Sequence, residues 1–222
     1  MLASLYAGNR LKVKIKEYSR IPTANGMTGA EVARQMLDDH GCYDVKVTSV
    51  KGSLTDHYNP RTKTVNLSKD VYYGKNIAAA AIAAHEAGHA VQHAESYAWL
   101  GLRSALVPIQ NISATIINII FISMFFGSFL LGSFISIETA LSIIVACYTV
   151  FTLFAFITLP VEYNASHRAL AWVYNSGTVS NNSYAKAKNA LNIAASTYVI
   201  AALSSLATLL YYLFLLIGMR DD

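Results

Sequence analysis

His85-Glu86-Ala87-Gly88-His89 sets two imidazoles four residues apart, with a carboxylate beside the first. On an α-helix this spacing puts both rings on one face, where they can converge on a single zinc ion. Glu86, next to the first imidazole, is placed as the general base for a water nucleophile and not as a ligand. The flanking residues 78–84 and 87–91 are too apolar for a solvated helix face. A catalytic zinc takes three protein ligands and keeps one position open, so a third donor is required. His93 follows His89 by four residues, yet it lies roughly 12 Å along the axis from His85, too far for bonds of about 2 Å. It reads as a helix-face or outer-shell residue. The metzincin pattern fails too, because Gln92 stands at its glycine and Glu95 at its third histidine.

The third donor must come from the elements that surround this helix, and composition says what they are. Apolar residues make up 54% and charged residues 14%, well below the usual quarter for a soluble domain. Thirteen of the seventeen Lys and Arg lie at or before Arg103. Uncharged apolar runs fill 104–137, 139–161 and 189–219, each long enough to hold the roughly 20 residues of a bilayer span. Asn111, Asn118 and Asn192 within them are expected to face protein or an interface. The loop at 132–138 carries no Lys or Arg, whereas the head and 162–188 hold sixteen of the seventeen. The positive-inside rule puts both of those parts in the cytoplasm, with the loop and C-terminus outside. Two crossings separate Glu162 from His89, so the chain returns this carboxylate to the side of the histidines. An acid so close to hydrocarbon is costly unless paired or metal-bound, and Glu162 is the expected third ligand.

The expected fold is an α+β, zincin-like cytoplasmic head joined to a helical membrane bundle with three spans. Residues 1–103 form the head, 104–161 a transmembrane hairpin, 162–188 a cytoplasmic segment carrying the third ligand, and 189–222 the last span and an external tail. In the head, Thr28 and Glu31 form a capping box for a helix ending near Asp39, with Gly41 as its stop. Alternation predicts strands over 43–50 and 62–67, split by the Asn59-Pro60 turn, and Ser68 caps a short helical turn. The alanine-rich run from Ile77 to about Tyr97 is one helix. Asp56 and His57 read as turn chemistry. Cys42 and Cys147 are expected to remain unpaired. The first twenty residues lack the apolar core of a cleavable signal peptide.

Four segments, at 28–34, 54–58, 83–92 and 159–166, together resemble the YugP-type neutral zinc metallopeptidases, membrane proteins of bacteria, over about residues 15–205. The resemblance implies a gluzincin-like site with His85, His89 and Glu162 on zinc and residence in a bacterial cell membrane. The last segment is also similar to the glutamate motif of HtpX-type and CAAX prenyl proteases. Those carry an acidic residue four positions after the ligand, where this chain has Ser166, leaving Ser166 or Asn164 to fill that place. The family begins with a further hydrophobic helix, of which the first seven residues resemble the last turns.

The expected activity is zinc-dependent hydrolysis of peptide bonds in membrane or membrane-proximal proteins. Tyr163, His167, Arg168 and His57 are all conceivable donors to the oxyanion. Arg168 also reads as a positive-inside anchor. A substrate strand pairs with a sheet edge in other zincins, which offers an analogy. An inactive zincin-fold membrane scaffold is the alternative, and the intact His85, Glu86 and His89 argue against it. A metal transporter would need acidic, basic or histidine side chains inside its spans, and these contain no Asp, Glu, His, Lys or Arg. The partners are the lipid bilayer and a protein or peptide substrate; the mild +4 charge is too scattered for nucleic acid. Oligomeric state is unreadable, although Gly127, Ser128, Gly132 and Ser133 offer small faces for helix packing.

Overall fold

A computed structural model describes residues 2–126 and 136–221. Gly127, Ser128, Gly132 and Ser133, with most of the 132–138 loop, lie outside the described residues. The chain is mostly helical, with one small sheet, and runs α1 (Leu2–Tyr18), α2 (Gly29–Asp39), β1 (Lys46–Val50), β2 (His57–Asn59), β3 (Thr64–Ser68), α3 (Lys69–Tyr72), α4 (Ile77–Ala94), α5 (Ala98–Phe126), α6 (Ile137–Asn175) and α7 (Asn181–Asp221). Two compact units result. One holds residues up to Leu100 with Pro160–Thr197; the other holds Gly101–Leu159 and the chain from Tyr198 onward.

The first unit is organised around α4. Fourteen of its eighteen residues are buried, most of them alanines, so neighbours pack against it from several sides. Alanine suits that place because it has the highest helix propensity and no side-chain entropy to lose. Asn76 opens the helix by accepting the Ala79 N–H at 2.9 Å. Helix α2 opens on the Thr28–Glu31 capping box and closes with Gly41 in the left-handed region, while the Gly41 and Cys42 N–H groups donate to the Asp38 and Leu37 carbonyls. The core joins Val32, Met36 and Leu37 of α2 to Val65 and Leu67 of β3, with Ala169 and Val173 of α6 and Leu191 of α7. Each large aliphatic buried there stabilises the fold by about 1.5–3 kcal/mol. Trp172 Nε1 donates to Asp39 Oδ2 at 2.7 Å, tying α6 to α2.

The sheet has the order β1-β3-β2, with β1 parallel and β2 antiparallel to β3. Several elements differ from the sequence expectation. The strands begin later than expected, at Lys46 and Thr64. His57 is not in a turn but opens β2, a strand too short to show alternation. Asp56 accepts the Ser68 N–H at 2.7 Å and its hydroxyl at 3.2 Å, so Ser68 spends its side chain on Asp56 and not on capping α3. Burial pushes the Asp56 carboxyl up, and the two Ser68 bonds offset part of that shift. Helix α4 stops at Ala94, short of Tyr97, in a Schellman turn. The Tyr97 and Ser96 N–H groups donate to the Gln92 and His93 carbonyls, with Ser96 in the left-handed conformation usually left to glycine. Seventeen residues at the start, Leu2–Tyr18, form a helix that periodicity did not mark.

In the second unit Thr152 and Ser205 share a hydrogen bond at 2.9 Å, and Tyr148 stacks on Tyr212 with centroids 5.4 Å apart. Among the described residues, three helices are long and apolar enough to cross a membrane, over Ala98–Ser123, Ile137–Asn175 and Asn181–Met219. Many of their large side chains, among them Ile112, Ile119, Leu153, Leu203 and Phe214, are exposed. An apolar exterior of this extent suits lipid, which has no use for a polar coat. Asn111, Asn118 and Asn192 are exposed as well, not turned toward protein within this chain. Helix α6 passes through Pro160 without ending there and reaches Asn175, where Gly177 in the left-handed region turns the chain. Cys42 and Cys147 are both buried and unpaired.

Candidate metal centre

Three polar residues are buried on α4, namely Glu86, His89 and Gln92, and buried polar groups need partners. The partners come from β2 and α6. Gly88 lets α6 approach, because a Cβ there would stand 2.9 Å from the Ala165 carbonyl oxygen. The close approach carries Glu162 to the histidines. Its Oε2 lies 3.3 Å from His85 Nε2 and 3.6 Å from His89 Nε2. The two imidazole rings stand edge to face with centroids 4.7 Å apart. One ligand atom from each of His85, His89 and Glu162 lies within 4.8 Å of the others, the one such group among the described residues. Glu162 is 2% exposed.

The outer contacts set the ring orientations. Ser166 Oγ lies 3.1 Å from His85 Nδ1, which leaves Nε2 toward Glu162. Gln92 Oε1 lies 3.0 Å from His89 Nδ1, while Gln92 Nε2 donates to the Val161 carbonyl and to Asn164 Oδ1, each at 2.9 Å. A backbone carbonyl can only accept, so the amide orientation is fixed and His89 Nδ1 must carry a hydrogen. In a neutral imidazole, Nε2 then presents a lone pair to the lone pairs of Glu162 Oε2. A positive charge relieves that apposition, either a proton on Nε2 or a metal ion between the two groups. Burial disfavours a charged His89, yet hydrogen bonding and the charge of Glu162 outweigh it and hold the group's pKa above the ordinary value. The pocket favours a positive charge.

Zinc suits that requirement. Two imidazole nitrogens and one carboxylate oxygen form a common catalytic donor set, and tetrahedral bonds of about 2.0–2.1 Å set ligand atoms about 3.3 Å apart. The observed separations of 3.3 and 3.6 Å match that geometry.

Glu86 projects beside this group with its Oε2 accepting the Tyr58 backbone N–H at 3.0 Å. Strand β2, absent from the sequence expectation, thus orients the carboxylate. The Tyr58 hydroxyl pairs with His93 Nδ1 at 2.8 Å, so His93 faces the sheet and stays outside the cluster. Burial, with the Asp44 carboxylate adding to it, pushes the Tyr58 phenol up to about 12 and keeps it protonated beside His93. Among the residues considered for the oxyanion, Arg168 is committed to Asn164 and Glu95, each at 2.7 Å. His57 Nδ1 contacts the Thr55 carbonyl at 2.8 Å, and Tyr163 and His167 are exposed on α6. Gln92 is the residue that sequence reasoning passed over. Its signal was a lone amide three positions after His89 on an apolar face.

Comparisons with known proteins place nearly the whole chain in one family. The model of a family described as "Putative neutral zinc metallopeptidase" matches residues 1–217. A Bacillus subtilis (strain 168) protein named "Putative membrane protease YugP" is 43% identical over 219 residues, covering 99% of this chain and 94% of that protein. No solved structure matches the chain. With a family model spanning nearly its whole length and a relative of this identity, the chain belongs to the YugP-type neutral zinc metallopeptidase family.

Proposed function

We propose that this protein is a membrane-anchored zinc endopeptidase with a gluzincin-like site, in which His85, His89 and Glu162 hold the metal and Glu86 is the general base. The reading rests above all on Glu162 Oε2 standing 3.3 and 3.6 Å from two imidazole Nε2 atoms in a buried pocket. Zinc bound there supplies Lewis acidity, polarising a carbonyl and lowering the pKa of water to about 7. The chain's own residues do the rest. Tyr58 N–H holds one oxygen of Glu86, and the second oxygen takes the proton of the attacking water and returns it to the leaving amine. Ser166 and Gln92 hold the two rings with Nε2 inward.

The head, residues 1–103 with 162–188, is read as zincin-like from the two histidines of α4 beside a small sheet, and as cytoplasmic because it holds sixteen of the seventeen basic residues. The hairpin at 104–161 and the span at 189–222 are its anchor, and the short loop and C-terminus lie outside the cell membrane. Substrates on this reading are membrane or membrane-proximal proteins.

The test uses the full chain purified in detergent, with zinc measured by elemental analysis and turnover on a labelled unfolded protein. Glu86→Gln is expected to keep one zinc and to lose about 100-fold or more in rate. Turnover at the wild-type rate in that variant, or a wild-type protein without zinc, would overturn the assignment.

A further inference from the structure

Gln92 is 0% exposed, and its amide uses both hydrogens and its oxygen at once. The oxygen faces the His89 ring. The hydrogens go to the Val161 carbonyl and to Asn164 Oδ1, which flank Glu162 on the neighbouring turn of α6. One neutral side chain therefore grips a histidine on α4 and the stretch of α6 that delivers the carboxylate. Only a carboxamide fits both tasks, and glutamine has the longer reach of the two. A carboxylate has no hydrogen to donate, lysine cannot accept, and a hydroxyl offers a single hydrogen.

The polarity of this arrangement is set from outside. Glu95, the residue that closes α4, binds Arg168 Nη2 at 2.7 Å. Arg168 can only donate, and its Nε gives a hydrogen to Asn164 Oδ1 at 2.7 Å. That fixes the oxygen of Asn164 toward Gln92 and leaves Gln92 no choice but to donate. The chain of contacts leaves α4 at Glu95, crosses α6 through Arg168 and Asn164, and returns to α4 at Gln92 and His89.

We infer that Gln92 is the positioning residue of the metal centre, which through the Glu95–Arg168–Asn164 relay fixes the His89 tautomer and holds Glu162 in register with the two histidines. The inference rests on the zinc-site reading above and deepens it. The outer shell of this centre is then an amide and a hydroxyl, Gln92 and Ser166, in place of the carboxylates that commonly back a zinc-bound histidine.

Zinc affinity of the purified full chain, measured by competition with a chromophoric chelator, and the visible spectrum of the cobalt-substituted protein test this without reference to activity. Gln92→Leu is expected to weaken zinc binding about 10- to 100-fold and to alter the cobalt bands as His89 loses its tether. Asn164→Leu should act in the same direction. Asn164→Asp keeps the accepting oxygen and should bind zinc at least as tightly as wild type; this pair carries the test if Gln92→Leu does not fold. Wild-type affinity and an unchanged cobalt spectrum in both leucine variants would overturn the inference, as would equal loss in Asn164→Asp and Asn164→Leu. His85→Ala separates the two levels. Its loss of zinc alongside intact leucine variants sinks only the role of Gln92, whereas wild-type binding by His85→Ala sinks the metal-site reading itself.

Discussion

The Ala165 carbonyl oxygen stands 2.9 Å from the point that a Cβ on Gly88 would occupy, so α4 and α6 meet backbone to backbone between the two histidines. A glycine inside a helix costs about 1 kcal/mol of propensity. Here it sets the distance from which Glu162 reaches both rings. Gly88→Ala would force the helices apart and is expected to cost about 1–3 kcal/mol of stability while weakening zinc binding. Thermal unfolding and zinc stoichiometry of the variant check this; an alanine variant with wild-type values for both would show the contact to be slack.

Glu162 supplies the single carboxylate of the proposed donor set. Glu162→Gln keeps the volume and removes the charge, so zinc affinity should fall by more than the about 10- to 100-fold expected of an outer-shell change. Chelator competition reads the difference. A glutamine variant with wild-type affinity would mean that the ligand is elsewhere.

The capping box gives a pH dependence with a definite sign. The Thr28 N–H and hydroxyl donate to Glu31 and hold its carboxyl below the usual glutamate range. A depressed folded-state value means stability that is present in full above about pH 4.5, the ordinary value, and lost as pH falls through the lowered one. Glu31→Ala should therefore destabilise the head at pH 7 by only about 0.3–0.5 kcal/mol, because solvent screens this exposed carboxylate. Near pH 3 that difference should narrow. A gap in melting temperature that is constant with pH would contradict this account of α2.

Orientation is testable because Cys42 and Cys147 are buried and give a quiet background. Tyr43→Cys and Tyr174→Cys would place thiols at exposed positions of the head. A membrane-impermeant thiol reagent should label them only after cells are permeabilised. Labelling in intact cells would place the head outside.

Much of this was legible in the sequence because it depends on local rules. The four-residue spacing of His85 and His89, the Thr28–Glu31 box and the uncharged runs each follow from helix geometry or from the cost of charge in lipid. Gly41 announced the end of α2, whereas Ser96 ends α4 in the same kind of turn without the residue that usually signals it. Strand β2 has three residues, too few for a period, yet it holds Glu86 through a backbone N–H that any residue type but proline would offer. Gln92 was hidden for the same reason. One of its acceptors is the Val161 carbonyl, 69 positions away, and a main-chain group leaves no mark in the sequence.

X-ray absorption at the zinc edge of the purified wild-type chain reads the proposed donor set itself. Two imidazole nitrogens and a carboxylate oxygen are expected around one zinc, at about 2.0–2.2 Å, with no sulfur. A zinc–sulfur shell near about 2.3 Å, or a first shell with fewer than two imidazoles, would contradict it.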